Sequence, residues 1–347
     1  MKKESVLELK RDVMRSFSRS IERGGARLQG LANPQVENRL AVGYSHLGKG
    51  SYRLELRVQR RNGAAYRLAE EVKKKAKQEA NIEEVPWIQI PPGPQASGAT
   101  GIRGLAQLKR PLHIGVSVGH GEGDAGTLGA FVSDDKGNDC ILSNNHVLAL
   151  MGTARLRDRI YQPAGGDGAG VAEEEIGFLS NYIIIARNRR DSNDAAFAEL
   201  NDHIEHESNI IPTGYRFPSE GQMIREVQSV DELLSLLKKD TPVCKIGRTT
   251  GFTVGGVTAV ALDNIPVETS IGTMLFNNVI EIGWESSKRP FTKPGDSGSM
   301  VFTRDGFFAI GLHFAGGEKK IGQRRLGISY SCNMASVLRT LRLSLLD

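Results

Sequence analysis

Cysteine is scarce in this chain: three among 347 residues, at positions 140, 244 and 332. So few thiols cannot build the framework of bridges that holds small secreted domains together. An unbridged chain suits a reducing interior, so the cytoplasm is the expected compartment. Long apolar runs are missing as well. No stretch approaches the roughly 18 apolar residues of a membrane-crossing helix. Residues 1–23 are basic throughout, without the continuous apolar segment of a secretory leader. Aromatic residues make up only 6% and none interleaves with the basic run Lys73-Lys-Lys-Ala-Lys77. That run reads as a solvated helix face, and nucleic acid is not an expected partner.

What the chain does have is charge, unevenly placed. Residues 1–110 hold 22 Lys and Arg against 11 Asp and Glu, and the remainder 23 against 29. A basic part joined to an acidic part fits an amino-terminal module that binds a regulatory protein, or two halves that attract one another. The stretch Pro91-Pro-Gly-Pro-Gln-Ala-Ser-Gly-Ala-Thr-Gly101 is the clearest linker. It divides the chain into residues 1–90, a linker over 91–110, and residues 111–347. In the first part, Val6, Leu9, Val13, Met14, Phe17 and Ile21 recur at helical spacing over residues 4–23, and Gly24-Gly25 ends the pattern. Residues 39–44 and 52–59 alternate as strands, 64–80 read as a Lys-faced helix, and 85–90 as a further strand. Together they predict a small α+β domain. Beyond the linker come short segments rich in Val, Ile and Thr, broken by glycine, the pattern of β-barrels. Helices are expected over 229–239 and 334–345.

One motif carries chemistry. Lys293-Pro-Gly-Asp-Ser-Gly-Ser-Met-Val-Phe302 puts the hydroxyl of Ser297 on a tight turn among backbone N–H groups. That is half of an acyl-transfer site: a nucleophile beside donors for an oxyanion. A serine hydroxyl needs a base, and the base a carboxylate to orient it. Of seven histidines, His146 stands where a short apolar strand breaks into polar residues, in Cys140-Ile-Leu-Ser-Asn-Asn-His-Val-Leu-Ala149. The carboxylate is sought in Asp191-Ser-Asn-Asp-Ala-Ala-Phe-Ala-Glu-Leu200, where an acid adjoins an apolar run and so asks for a partner. Asp194 is the first choice and Asp191 the alternative. The order His146, Asp194, Ser297 matches the chymotrypsin arrangement and excludes the α/β-hydrolase and subtilisin orders.

Residues 111–347 resemble a chymotrypsin/trypsin-type serine protease domain, of the bacterial, intracellular-looking kind. Leu142-Ser-Asn-Asn-His-Val147, Asn193-Asp-Ala-Ala196 and Pro294-Gly-Asp-Ser-Gly-Ser299 correspond to its three catalytic motifs. Cys244-Lys-Ile-Gly-Arg-Thr-Thr-Gly-Phe-Thr-Val-Gly-Gly-Val257 resembles the glycine-rich hairpin that opens the second barrel. The resemblance implies a mainly β protein with two six-stranded antiparallel barrels, over about 111–215 and 241–335. It implies a serine endopeptidase acting on protein substrates, with His146 as base, Asp194 as orienter and Ser297 as nucleophile. The oxyanion hole would be the N–H groups of Gly295 and Ser297, and no metal or cofactor is expected.

By the same likeness Phe291 lies at the base of the primary pocket, beside Thr292. His313, in Ala309-Ile-Gly-Leu-His-Phe-Ala-Gly316, sits in a segment similar to that of members cutting after Glu. An acidic residue at the cleaved position is therefore the expected preference. Asp296 is the carboxylate that in many members pairs with an amino terminus freed by cleavage, and residues 101–114 offer basic sites for such processing. The alternative is an adaptor that uses the protease scaffold and residues 1–90 for binding without turnover. Three weaker signals are set aside. Gly43-Tyr-Ser-His-Leu-Gly-Lys-Gly-Ser51 is nearly a phosphate loop but lacks the following hydroxyl and helix. Gly121-Glu-Gly-Asp-Ala-Gly126 leads into a strand, not a helix. His203 and His206 have no further nitrogen or sulfur ligands nearby in sequence.

Overall fold

The computed structural model describes residues 1–24, 39–77, 79–90, 104–168, 174–186, 193–285, 290–321 and 324–347. The linker at 91–101 and the alternative carboxylate Asp191 lie outside the described residues.

The chain opens with helix α1 (Lys3–Gly24), whose buried Val6 and Val13 lie two turns apart on one face. Strands β1 (Leu40–Gly48) and β2 (Ser51–Val58) form an antiparallel hairpin. Gly48, Lys49 and Gly50 all have positive φ at its tip, so the phosphate-loop lookalike is a tight turn. Helix α2 (Ala64–Lys75) buries Ala65, Ala69 and Val72 and ends on three lysines, the sign its C-terminal dipole favours. The helix stops earlier than its sequence pattern suggests, and strand β3 (Ala80–Glu84) follows parallel to β2.

The next strands are β4 (Ser117–His120), β5 (Gly126–Thr127), β6 (Ala130–Ser133) and β7 (Asp139–Ser143). After the short helix α3 (Asn145–Leu148) come β8 (Arg159–Tyr161), β9 (Glu175–Tyr182) and β10 (Ala196–Leu200). They form one curled antiparallel sheet, with spatial order β6-β7-β10-β9-β8-β4-β5. Among the described residues its two ends are not joined by a ladder, so this first unit is a half-barrel where six closed strands were expected.

Helix α4 (Val230–Leu236), capped by the Ser229 hydroxyl, leads into the second barrel. Its strands are β11 (Pro242–Gly247), β12 (Gly251–Asp263), β15 (Val279–Glu285), β16 (Met300–Thr303), β17 (Ala309–Ile321) and β18 (Arg324–Asn333). Pairing runs β11-β16-β17-β18-β15-β12, and β12 pairs back with β11, which closes six strands. A small hairpin of β13 (Ile265–Thr269) and β14 (Gly272–Phe276) branches off between β12 and β15. Helix α5 (Met334–Leu341) buries Val337, Leu338 and Leu341. The chain then returns to the first unit, where β19 (Ser344–Leu345) pairs with β6. One closed antiparallel barrel beside a curled partner sheet is the chymotrypsin-type architecture.

Residues 40–58 do not stand apart from this architecture. β1 pairs with the far half of β12, Val42 opposite Asp263 and Tyr44 opposite Val260, so the amino-terminal hairpin extends the second barrel's sheet. Charges seal the join. Arg57, 2% exposed, donates two-pronged to Glu281 on β15 at 2.7–3.0 Å and to Glu55 at 3.0 Å. Glu281 also accepts from the Tyr330 hydroxyl at 2.9 Å and from Thr258 at 2.6 Å. Burial alone would raise the Glu281 carboxyl, but Arg57 and these hydroxyls outweigh it and hold it below its usual range. A buried charge tolerates such a place only when it is fully paired.

Candidate active site

The strand β7 ends at Ser143, and its apolar Cys140, Ile141 and Leu142 are buried in the sheet. The polar Asn144 that follows turns the backbone into α3, which presents His146 at the sheet's end. Asp194 lies just before β10, which pairs with β7. The two therefore meet. Nδ1 of His146 is 2.5 Å from Oδ2 of Asp194, and the His146 N–H donates to Oδ1 at 3.1 Å. A carboxylate only accepts, so the Nδ1 proton points at it and Nε2 is left with its lone pair. Asp194 is completely buried. Its backbone is held on both sides: its carbonyl accepts from Asn144 Nδ2 at 2.6 Å and its N–H donates to the Cys332 sulfur at 3.2 Å.

Ser297 comes from the other unit, on the turn before β16. Contacts between the two sheets bring it to the His146 segment. The Thr127 N–H on β5 donates to the Ser297 carbonyl at 2.7 Å. Gly298, with φ +92°, lies so close to β7 that a Cβ there would collide with the Ser143 hydroxyl and the Thr127 carbonyl. Among the described residues the Ser297 hydroxyl donates no hydrogen bond to His146; such bonds commonly tighten only once substrate is bound.

The turn is arranged around N–H groups. The carbonyls that precede the two expected donors are both tied back: Pro294 to Thr249 Oγ1 at 2.8 Å, and Asp296 to the Ser299 hydroxyl at 2.6 Å and the Ser299 N–H at 3.1 Å. Peptide planarity then points the N–H of the following residue the opposite way. Among the described residues, neither the Gly295 nor the Ser297 N–H donates to a protein acceptor, whereas that of Asp296 between them bonds Lys293. A carbonyl oxygen that becomes an oxyanion could take both. Gly295 has φ +92°, and a Cβ there would strike Arg248 and Thr249. Arg248 is in turn anchored to the buried Asp167 at 2.7 Å, which also accepts from Ser117 at 2.6 Å.

Asp296 points away from this surface. It takes Lys245 Nζ at 3.1 Å, both side chains fully buried, the Thr250 hydroxyl at 2.7 Å, and the N–H groups of Thr249, Thr250 and Lys293 at 2.9–3.1 Å. Burial by itself would raise this carboxyl; Lys245 and the donors prevail and hold it low. The carboxylate expected to await a cleavage-made amino terminus has an internal lysine as its cation instead.

The pocket residues divide. Phe291 is completely buried, packed against Trp284 at 6.1 Å between ring centres, with its carbonyl bonded to Thr253 at 2.7 Å. It is a core residue of the second barrel. Thr292 and His313 are 9% and 4% exposed, and Nδ1 of His313 meets the Ser329 hydroxyl at 2.8 Å. Burial pushes the His313 imidazole down to about 3, with Lys245 adding to the fall and Asp296 opposing it. His313 is thus uncharged at neutral pH.

The linkage has a definite sign. The unfolded chain protonates this histidine below about 6.5, the folded chain only near 3. Stability through His313 is therefore complete above 6.5 and falls with pH by about 1.4 kcal/mol per unit between those values. Urea unfolding of wild type and His313→Gln at pH 7 and pH 5 checks this. Wild type should lose roughly 2 kcal/mol more than the variant over that interval.

Sequence reading did not single out Thr127, Arg248, Thr249, Lys245, Asn144 or Cys332. The paired threonines lay in the glycine-rich hairpin motif, whereas nothing in the sequence near Thr127 marked it.

No family model and no curated protein matches the chain. Solved structures do. A Nocardiopsis protease is 17% identical, over 68% of this chain and 98% of that one, with a TM-score of 0.45. Thermobifida fusca protease A is 15% identical, over 68% and 98%, with a TM-score of 0.44. A glutamic acid-specific serine protease that uses a histidine triad in substrate binding is 18% identical, over 67% and 100%, with a TM-score of 0.45.

Proposed function

We propose that this protein is a serine endopeptidase that cleaves peptide bonds through an acyl-enzyme. The observation that carries the proposal is the pairing of a His146 imidazole, oriented by Asp194 at 2.5 Å, with a serine turn whose Gly295 and Ser297 N–H groups are unengaged. Ser297 attacks the substrate carbonyl as its proton passes to Nε2 of His146. Asp194 stabilises the imidazolium and keeps the ring in register. The oxyanion settles on the two N–H groups, His146 then protonates the leaving amine, and water releases the acyl group by the reverse sequence. The Lys245–Asp296 pair lets the turn hold this shape without a processing step.

For the cleaved position we propose an acidic residue. Thr292 offers a hydroxyl, and the His313–Ser329 pair, with one of its two protons held in their mutual bond, offers one further donor; hydrogen bonding to a carboxylate is what such groups do without a cation. A peptide library digested by the purified protein tests both statements. Cleavage concentrated after Glu or Asp is expected. Cleavage mainly after Lys and Arg, or only after large apolar residues, ends the acidic assignment; no cleavage of any peptide ends the peptidase one. We also propose a cytoplasmic location, a reading supported by the three unbridged, buried thiols.

A further inference from the structure

A peptide bound to this site would use a specific edge. The ladder between β16 and β17 ends at Met300 opposite Leu312. The next residue, His313, is tied to the nucleophile turn: its carbonyl accepts from the Gly298 N–H and its own N–H donates to Ser299, both at 2.9 Å. Past His313, β17 keeps β18 on one side and parts from β16 on the other. That free side of residues 314–317 begins beside Ser297. A substrate whose scissile carbonyl faces Ser297 must run its preceding residues antiparallel along it, adding a strand to an open edge.

The chain itself lies there. Gln89 is paired antiparallel with Gly316. The backbone at Trp87 comes so close to Gly317 that a Cβ on that glycine would sit 2.8 Å from the Trp87 carbonyl and 3.1 Å from Pro86. Going from Trp87 beside Gly317 to Gln89 beside Gly316, the segment heads toward the nucleophile, the direction a substrate takes. Its other edge is held by the β13–β14 hairpin. Ile90 donates to the Glu268 carbonyl and Glu268 to the Ile88 carbonyl, both at 3.0 Å, and the Trp87 indole donates to the Glu268 carboxylate at 2.6 Å. Buried Val85 and Ile88 fasten it, while Gln89 and Trp87 remain exposed.

We infer that residues 86–90 are an intramolecular strap that occupies the positions of a substrate's residues upstream of the cleaved one, and that an extended peptide must displace it. This rests on the peptidase reading above. Among the described residues no hydrogen bond or strand pairing joins residues 86–90 to Ser297, so the strap selects against long, strand-forming substrates without disabling the chemistry. Control by the amino-terminal part is then a competition along one sheet edge. Removal of the strap's backbone donor, or its capture by a partner, would open that edge.

The test compares an ester carrying a single residue before the cleaved bond with a peptide carrying four. Gln89→Pro deletes the N–H that faces Gly316, and Trp87→Ala deletes the indole tie to Glu268. Each is expected to raise kcat/KM on the long peptide at least tenfold and to leave the short ester within twofold. Both variants staying within twofold of wild type on the long peptide overturns the inference. A measurement on the unaltered chain guards against misfolding of the variants. Ser297 is capped either by a small fluorophosphonate or by a tetrapeptidyl phosphonate carrying the residue the library selects, and amide hydrogen exchange is read at residues 86–90. Exchange at least tenfold faster with the peptidyl cap alone supports the strap; equal exchange with both caps overturns it. Labelling of Ser297 by neither reagent would sink the peptidase reading, and the strap as a competitor with it.

Discussion

Ser297→Ala is expected to lower turnover on a peptide by about six orders of magnitude, with little change in KM. The size follows from how the groups act together. Without Oγ, the His146 imidazole has no proton to accept, and the Asp194 carboxylate 2.5 Å from its ring orients a base with nothing to do. What survives is substrate binding and the two N–H donors, which by themselves speed the reaction only about a thousandfold to ten-thousandfold over water. His146→Ala should cost about as much, and the double variant no more than either single one, because the pair works as one unit. Single-turnover rates on a chromogenic peptide measure all three. Turnover of Ser297→Ala within tenfold of wild type would falsify the assignment of the nucleophile.

The second large effect falls on stability and lies far from the site. Arg57→Ala leaves Glu281 buried without its cation, while Glu55 keeps Arg53 at 2.8 Å, and breaking a buried pair on one side costs about 3–5 kcal/mol. That is a large part of the 5–15 kcal/mol typical of a whole fold. The cost is the stranded carboxylate and not a missing attraction, which makes a specific pattern. Arg57→Met combined with Glu281→Gln removes both members of the pair, leaves Glu55 to Arg53, and should recover most of the loss. Urea midpoints of the three proteins decide it. A single variant less than about 1 kcal/mol below wild type would mean that water or another cation reaches Glu281. The same reasoning says that a fragment beginning after the proline-rich stretch should be poorly stable, since it would lack Arg57 and the β1 partner of β12.

The segments of the candidate site were legible because each is a local pattern: a strand breaking into polar residues at His146, an acid against an apolar run at Asp194, glycines around Ser297. Local periodicity also gave α1, the β1–β2 hairpin and α5. What it could not give was pairing between distant strands. β1 and β12 look like any alternating strands, and the join they make is backed by side chains more than 200 positions apart, Arg57 on β2 and Glu281 on β15 among them. The separate amino-terminal module was read from charge, from the proline-rich stretch and from local periodicity, and none of these reports which edge a strand joins. Asp296 posed a similar problem. Its need for a cation was plain, but choosing Lys245 over a new amino terminus required knowing that β11 runs behind the turn. The strand expected over 85–90 meets β17 only at Gln89, because pairing there is limited to the short free edge beyond His313.

The Arg57–Glu281 bond also sets an order in time. A ribosome delivers Arg57 first and must add the 224 residues that separate it from Glu281 before the guanidinium finds its carboxylate, and about fifty more for the Tyr330 hydroxyl. Until then the first hairpin has a charge with no place to be buried. The nucleophile turn is made in that same late stretch, so the two halves of the candidate site would come together only as these long-range contacts close.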